Sequence, residues 1–169
     1  VEPVVLVEPL KALRKMGAGL RIFGAAGPKA RIRMVMERRP AGITIDTGPY
    51  PGFPTDLQSV FLAAEASGTG ESQIRETVYE ARFEAAVRLA SFGADVSVHG
   101  DTAIIKGRYP LLPGVVETPD LRGGAALLVA ALSADGLSVV SDRGHLKRGY
   151  EDIGRDLRIL GADIEENIL

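Results

Sequence analysis

The sequence contains no cysteine among its 169 residues, so disulfides, zinc-thiolate sites and a thiol nucleophile are excluded from this chain. It also has no excess of charge of one sign. Twenty Lys and Arg against 22 Asp and Glu leave −2, a balance that argues against a nucleic-acid binder. Long apolar runs are missing: the longest, Ala125 to Leu132, falls far short of the roughly 18 residues of a membrane span. The start, Val1-Glu-Pro-Val-Val5, has neither an initiator Met nor a basic-then-apolar signal region, and reads as a cytoplasmic protein or a piece cut from a longer one. No P-loop, G-x-G-x-x-G, H-E-x-x-H or paired metal-ligand cluster occurs, so neither a metal nor a cofactor is expected. Chemistry is left to Asp, Glu, Arg, Lys, Ser, Thr and two His.

What is present suits one soluble domain with a sizeable core: 17.9 kDa and 46% apolar residues. Three segments align as repeats, Leu13-Arg-Lys-Met-Gly-Ala-Gly-Leu-Arg-Ile22, Leu89-Ala-Ser-Phe-Gly-Ala-Asp-Val-Ser-Val98 and Leu157-Arg-Ile-Leu-Gly-Ala-Asp-Ile-Glu-Glu166. Each predicts the last turn of a helix, a Gly past its end (Gly17, Gly93, Gly161) and an alternating strand. A second pair, Pro54-Thr-Asp-Leu-Gln58 and Thr118-Pro-Asp-Leu-Arg122, places Asp56 and Asp120 at two helix starts 64 residues apart. Thr55 or Asp56, and Thr118 or Asp120, are suited to cap these helices, and Pro119 to a first helical position. Past Asp56, the residues Leu57, Val60, Phe61 and Ala64 form one apolar stripe at helical spacing.

The remaining patterns predict strands near 42–47, 71–78, 94–98 and 102–106, with helices from Asp56 and over 82–92, a βαβαββ unit. It restarts at Val115 with a helix from Asp120, a strand near 137–140, a helix over 149–160 and a strand near Asp163. Before it, a helix near 8–16 and strands near 20–23 and 30–37 resemble the tail of an earlier unit. The expected organisation is a tail in 1–40, a complete unit in 41–110, and a unit in 111–169 that lacks its last strand. Cut repeat edges leave unpaired strands, which favour self-association.

The stretch Gly48-Pro-Tyr-Pro-Gly-Phe-Pro-Thr-Asp56 is stiffened by three prolines and holds Asp56 in one place. Asp56 is either a helix cap or a general base set at a positive helix end, which ionises it while weakening its basicity. Arg122 and Arg148, each near a helix start, suit a phosphate or carboxylate, against a surface-pair reading in which Glu151 or Asp152 satisfies Arg148. His145 is a proton-shuttle candidate or a structural residue, and His99 reads as a hairpin turn residue. Arg31, Arg33, Arg38 and Arg39, interleaved with Ile32, Met34 and Met36, read as a solvated strand face.

The motifs Tyr50-Pro-Gly-Phe-Pro-Thr-Asp-Leu-Gln58, Glu76-Thr-Val-Tyr-Glu-Ala-Arg-Phe83, Thr118-Pro-Asp-Leu-Arg122 and Arg148-Gly-Tyr-Glu151 stand in the order and spacing of the UDP-N-acetylglucosamine enolpyruvyl (1-carboxyvinyl) transferases. The chain resembles that family over essentially its whole length. The resemblance implies an α/β (by some schemes α+β) inside-out barrel of βαβαββ repeats, and transfer of the enolpyruvyl group of phosphoenolpyruvate to the 3-hydroxyl of UDP-N-acetylglucosamine. That reaction is the first committed step of peptidoglycan synthesis; it passes through a tetrahedral intermediate, releases phosphate and uses no metal. The resemblance further implies that Asp56 binds the sugar nucleotide and takes its 3-hydroxyl proton, that Val78 lines the uridine-nucleotide pocket, and that Arg122 and Arg148 hold phosphoenolpyruvate. It also implies a C-terminal fragment, inactive alone, whose reactive loop lies in the other domain. Gly144 stands where the family often has an aromatic residue and Lys147 where it has an acidic one, which puts the ion pairing of Arg148 in question. The competing readings are a sister enzyme acting on shikimate 3-phosphate, and a non-catalytic binding or association module.

Overall fold

The computed structural model describes residues 3–24, 30–80 and 82–166. Its elements are α1 (Val7–Lys15), β1 (Gly19–Phe23), β2 (Arg31–Val35), β3 (Thr44–Asp46), α2 (Gln58–Ala66), β4 (Glu71–Arg75), α3 (Glu84–Leu89), β5 (Asp95–His99), β6 (Thr102–Lys106), β7 (Val115–Glu117), α4 (Leu121–Leu132), β8 (Val139–Ser141) and α5 (Ile153–Ile159). Short 3-10 turns occupy Pro3–Leu6, Thr55–Leu57, Ala90–Phe92 and Leu146–Arg148.

The middle of the chain forms a four-stranded sheet of order β3-β4-β6-β5, with β3 and β4 parallel and the other neighbours antiparallel. This is the βαβαββ order. On either side lie two smaller sheets, the antiparallel β1-β2 after α1 and the parallel β7-β8 around α4. Each strand of β4 and β6 buries alternate residues, Ser72 and Ile74 on one, Ala103 and Ile105 on the other. The helices are the interior layer. Leu62, Ala63 and Ala66 of α2 meet the same core as Ala126, Leu127 and Ala130 of α4, together with Leu89 of α3 and Phe92. Sheets outside and helices within make this the inside-out arrangement, and its closely packed centre depends on alanines that let helix axes approach.

The interior position of α2 explains one departure from its predicted pattern. Instead of a single stripe, Gln58, Ser59, Phe61, Leu62, Ala63, Glu65 and Ala66 are all buried, while Leu57, Val60 and Ala64 are only half-buried. A helix enclosed by a sheet and a second helix has no solvent face to mark its period.

The shared glycines have the expected left-handed backbone, with φ of +106° at Gly17, +68° at Gly93 and +98° at Gly161. Several predicted boundaries are corrected. β4 ends at Arg75, not near Val78, because the Glu76 carboxylate takes the Val78 and Tyr79 N–H groups that would extend the ladder. Asp56 does not cap a helix: it lies inside the turn Thr55–Leu57, preceded by Pro54, and α2 starts only at Gln58. Asp120 does cap, its Oδ1 accepting from the Arg122 and Gly123 N–H groups at 2.8 Å each, so Pro119 lies before the cap and not at a first helical position. The last helix starts at Ile153, not Gly149, because the Asp152 carboxylate accepts the Arg155 N–H and fixes the start there. No strand forms at Asp163; residues 162–166 have no neighbouring strand to pair with among the described residues.

Candidate functional site

Two helix starts from neighbouring repeats meet at one carboxylate. β3 delivers the loop Gly48–Pro54, which the Thr47–Phe53 bridge and the Gly48 N–H to Phe53 carbonyl bond (2.9 Å) close into a compact turn. The loop leads into the turn that carries Asp56. β7 delivers Asp120 and the first turn of α4, which carries Arg122. Packing of α2 on α4 brings Arg122 Nε to 2.6 Å from Asp56 Oδ1. Arg82, entering from the segment after β4, adds a second bond from Nη1 to the same oxygen at 3.2 Å. Neither pair uses Oδ2, and the Asp56 side chain is 58% exposed. The hydrogen bond from Arg122, helped by the charges of both arginines, outweighs partial burial and holds the Asp56 carboxyl below its ordinary range. Arg122 is held correspondingly more firmly protonated, by Asp56 first and also by Asp120 and Tyr150.

Behind this pair lies a buried carboxylate. Glu76 is 5% exposed and accepts at Oε1 from Thr47 Oγ1 (2.8 Å), the Val78 N–H (2.9 Å) and the Tyr79 N–H (3.0 Å), and at Oε2 from Thr55 Oγ1 (2.8 Å). Thr55 Oγ1 in turn accepts from Arg82 Nη1 at 2.7 Å, and the Arg82 guanidinium lies 4.2 Å from the centre of the Tyr79 ring. Burial works against ionisation of Glu76, but its four donors prevail and keep it below the ordinary range.

Val78 is exposed on the loop after β4 and lines an open depression of about 380 Å³ with Glu76, Tyr79, Phe83 and Asp101. It shares Glu76 with the Asp56 cluster. Arg148 is placed differently from the prediction. It ends the turn Leu146–Arg148, exposed, five residues before α5 starts, and therefore does not border the amide donors of that helix. Neither Glu151 nor Asp152 pairs with it, and among the described residues it enters no ion pair. Its turn packs closely on α4: a Cβ on Gly124 would come within 2.9 Å of a Leu146 methyl and 3.0 Å of a Thr118 methyl, so a side chain there would push both aside. His145 contributes its backbone N–H to Asp142, and its imidazole forms no hydrogen bond among the described residues. His99 ends β5 at the tight turn to β6, where the hairpin reading placed it.

Asp56 and Arg122 are thus brought together, Val78 is connected to them through Glu76, and Arg148 is not joined to them by any hydrogen bond or ion pair among the described residues. Sequence reasoning passed over Thr55 as a relay and Glu76 and Arg82 altogether. The signal was present in the motif Glu76 to Phe83 and in the recurrence of a Thr at the end of a strand followed by an acidic residue after the next strand, Thr47 with Glu76 and Thr118 with Asp142.

This geometry can hold an anion against Arg122 and offer Asp56 Oδ2 to a hydroxyl. Comparison with known proteins defines the family. The sequence model of the EPSP synthase (3-phosphoshikimate 1-carboxyvinyltransferase) family matches residues 6–157. The chain belongs to that family. Within it, the chain is 40% identical over 165 residues to UDP-N-acetylglucosamine 1-carboxyvinyltransferase 3 of Symbiobacterium thermophilum and to UDP-N-acetylglucosamine 1-carboxyvinyltransferase of Thermotoga maritima, covering 98% of this chain and 38% of each of those proteins. A Coprothermobacter proteolyticus protein of the latter name is 42% identical over 162 residues. The chain therefore spans well under half the length of these curated relatives. Among solved structures, the enolpyruvyl transferase NikO from Streptomyces tendae aligns with a TM-score of 0.80 at 30% identity, covering 95% of this chain and 36% of that one. EPSP synthase from Acinetobacter baumannii aligns at 0.65 with 18% identity, a likeness of fold. The fold expectation is borne out: this is the mixed α/β architecture of the enolpyruvyl transferases.

Proposed function

We propose that this chain is the C-terminal part of a UDP-N-acetylglucosamine 1-carboxyvinyltransferase and supplies one side of an active site completed by the portion of the relatives that it lacks. The observation carrying the reading is the Asp56–Arg122 pair, a carboxylate with one uncommitted oxygen beside an arginine at a helix start. In this reading, residues 1–40 are the tail of one repeat, 41–110 a whole repeat and 111–169 a repeat without its last strand.

In this reading the chemistry is an addition followed by an elimination. Asp56 Oδ2 accepts the proton of the sugar 3-hydroxyl as that oxygen bonds to C2 of phosphoenolpyruvate, while C3 gains a proton to give the tetrahedral intermediate. Loss of phosphate from C2 and of a proton from C3 then restores the double bond in the product. Because the arginines make Asp56 a weak base, its effect comes from position more than from proton affinity. Arg122 keeps two guanidinium nitrogens for the phosphate or carboxylate of phosphoenolpyruvate, and exposed Arg148 supplies a second cation. Val78 lines the nucleotide side. The reading places the protein in peptidoglycan synthesis, with the links to cell-wall biogenesis, cell shape and the cell cycle that this step carries, and in the cytoplasm. No helix among the described residues is long and apolar enough to cross a membrane.

Mixing the chain with the missing portion of a relative and assaying phosphate release tests this. The expected outcome is release with phosphoenolpyruvate and UDP-N-acetylglucosamine, none with shikimate 3-phosphate, and none from the chain alone. Release only with shikimate 3-phosphate transfers the site to the sister activity. Two folded halves with no activity at any ratio favour a non-catalytic module, and sedimentation of the chain alone then reads whether it self-associates through its repeat edges.

A further inference from the structure

The buried Glu76 has two oxygens with unequal tasks. Oε1 accepts three donors, Thr47 Oγ1 and the N–H groups of Val78 and Tyr79, and so holds the loop on the nucleotide side. Oε2 accepts one donor, Thr55 Oγ1, whose oxygen receives Arg82 Nη1, and the same Nη1 reaches Asp56 Oδ1. We infer that Glu76 is a positioning residue, and that its Oε2 sets the direction of a one-way relay through the Thr55 hydroxyl and Arg82 to Asp56.

The direction follows from hydrogen-bond chemistry. An ionised carboxylate only accepts, so it obliges the Thr55 hydroxyl to donate toward it. The Thr55 lone pairs then face Arg82, which can only donate, and the guanidinium is held where it also meets Asp56. Reversing any member leaves two donors or two acceptors facing each other, a mismatch that is costly at the buried Glu76 end, where water cannot relieve it. The second repeat provides a comparison within the molecule. Asp142 accepts from Thr118 Oγ1 (2.6 Å) and from the N–H groups of Gly144, His145 and Leu146, but no second hydroxyl among the described residues reaches it. The aspartate lies nine positions after the strand-end Thr in one repeat, Thr47 to Asp56, and two positions after it in the other, Thr118 to Asp120. The longer path is what brings Thr55 to Glu76, so the relay is an addition to a shared strand-end device.

The inference rests on Asp56 being the reacting carboxylate, yet its structural half is testable on this chain alone. Glu76→Gln is the selective probe. Its carbonyl oxygen takes the three-donor position, preserving the Val78 side, and its amide group replaces Oε2 and confronts Thr55 with a second donor. Arg82 is then displaced from Asp56, which retains Arg122. Carbon-13 carboxyl titration by NMR is expected to show Asp56 titrating at higher pH in Glu76→Gln and in Thr55→Val, unchanged in Thr55→Ser, with amide signals of Val78 and Tyr79 preserved in Glu76→Gln. The two changes are expected to be non-additive in the double variant. An Asp56 titration unmoved by both single changes, or moved additively, overturns the relay. If Glu76→Gln fails to fold, Thr55→Val against Thr55→Ser decides the same question. In the reconstituted enzyme, the relay predicts about a tenfold fall in kcat with little change in KM for the sugar nucleotide, and a displaced acid limb of the pH profile. Equal effects on kcat and KM indicate a merely structural role and overturn it. An inactive wild-type reconstitution beside a displaced Asp56 titration sinks the transferase reading and leaves the relay standing.

Discussion

Asp56 and Asp120 occupy the same place in two consecutive repeats, and their carboxylates do opposite things. Asp120 turns back on its own helix and satisfies two N–H groups of α4. Asp56, at the end of a loop seven residues longer, satisfies none of its own and instead meets arginines from two other segments. In the proposed reading this difference is what gives a repeat architecture its site: one copy keeps the structural task, and in the other a longer loop leaves the equivalent side chain free of its own helix. The helices that follow differ in the same sense. At the position of Val129 in α4, α2 carries Glu65, which is 1% exposed, with Oε2 bound by Ser72 Oγ at 2.7 Å and Oε1 without a hydrogen-bond partner among the described residues.

The contrast between Glu65 and Val129 gives the largest expected effect on stability. Burial raises the Glu65 carboxyl to about 7, against 4.5 for the free group. A raised native value means that the folded state holds the proton more tightly, so its contribution is fully present below pH 4.5 and is lost as pH climbs toward 7. Thermal or urea unfolding is expected to show the chain losing roughly 3 kcal/mol over that window, and Glu65→Gln is expected to flatten that dependence. Persistence of the same slope in the variant would put its origin elsewhere.

The caps come next. Asp120→Ala is expected to destabilise the chain by about 1 kcal/mol, the usual cost of a lost N-cap, whereas Asp56→Ala is expected to cost less, because its carboxylate caps no helix and is itself exposed to solvent. Equal losses in urea titrations would erase the division of labour between the two repeats. The smallest effect concerns the pairs both repeats share at their strand ends, Asp46 with Arg75 at 2.8 Å and Glu117 with Arg143 at 2.7 Å, all on exposed side chains. Arg75→Ala and Arg143→Ala are each expected to stay within about 0.5 kcal/mol of the parent, with the residual effect fading in high salt.

Much of this was legible in the residues. Gly17, Gly93 and Gly161 announced the three helix ends because a left-handed residue has a strong chemical signature, and Asp120 announced its helix for the same local reason. The β5–β6 hairpin followed from alternation, since its outer face is in water. Information that depends on distant packing was not legible. The burial of α2 on all sides hides its period, and the meeting of Asp56 with Arg122 depends on how α2 and α4 pack, which no local pattern encodes. Glu76 and Arg82 lie within the motif Glu76 to Phe83, but an acid followed by a Thr gives no indication that its carboxylate will be buried beneath another loop. Arg148 precedes a predicted helix start at Gly149 that the Asp152 cap moves four residues on, to Ile153.

If the longer loop frees Asp56 for chemistry, as proposed, while Asp120 remains structural, the two aspartates respond differently to the same substitution. Phosphate release by the reconstituted enzyme, measured with Asp56→Asn and with Asp120→Asn in parallel, tests it most directly. Asparagine caps a helix about as well as aspartate but cannot take a proton from a hydroxyl. A loss of at least about 100-fold is expected for Asp56→Asn and a change within a few-fold for Asp120→Asn. Retained activity in Asp56→Asn, or an equal loss in both variants, would contradict it.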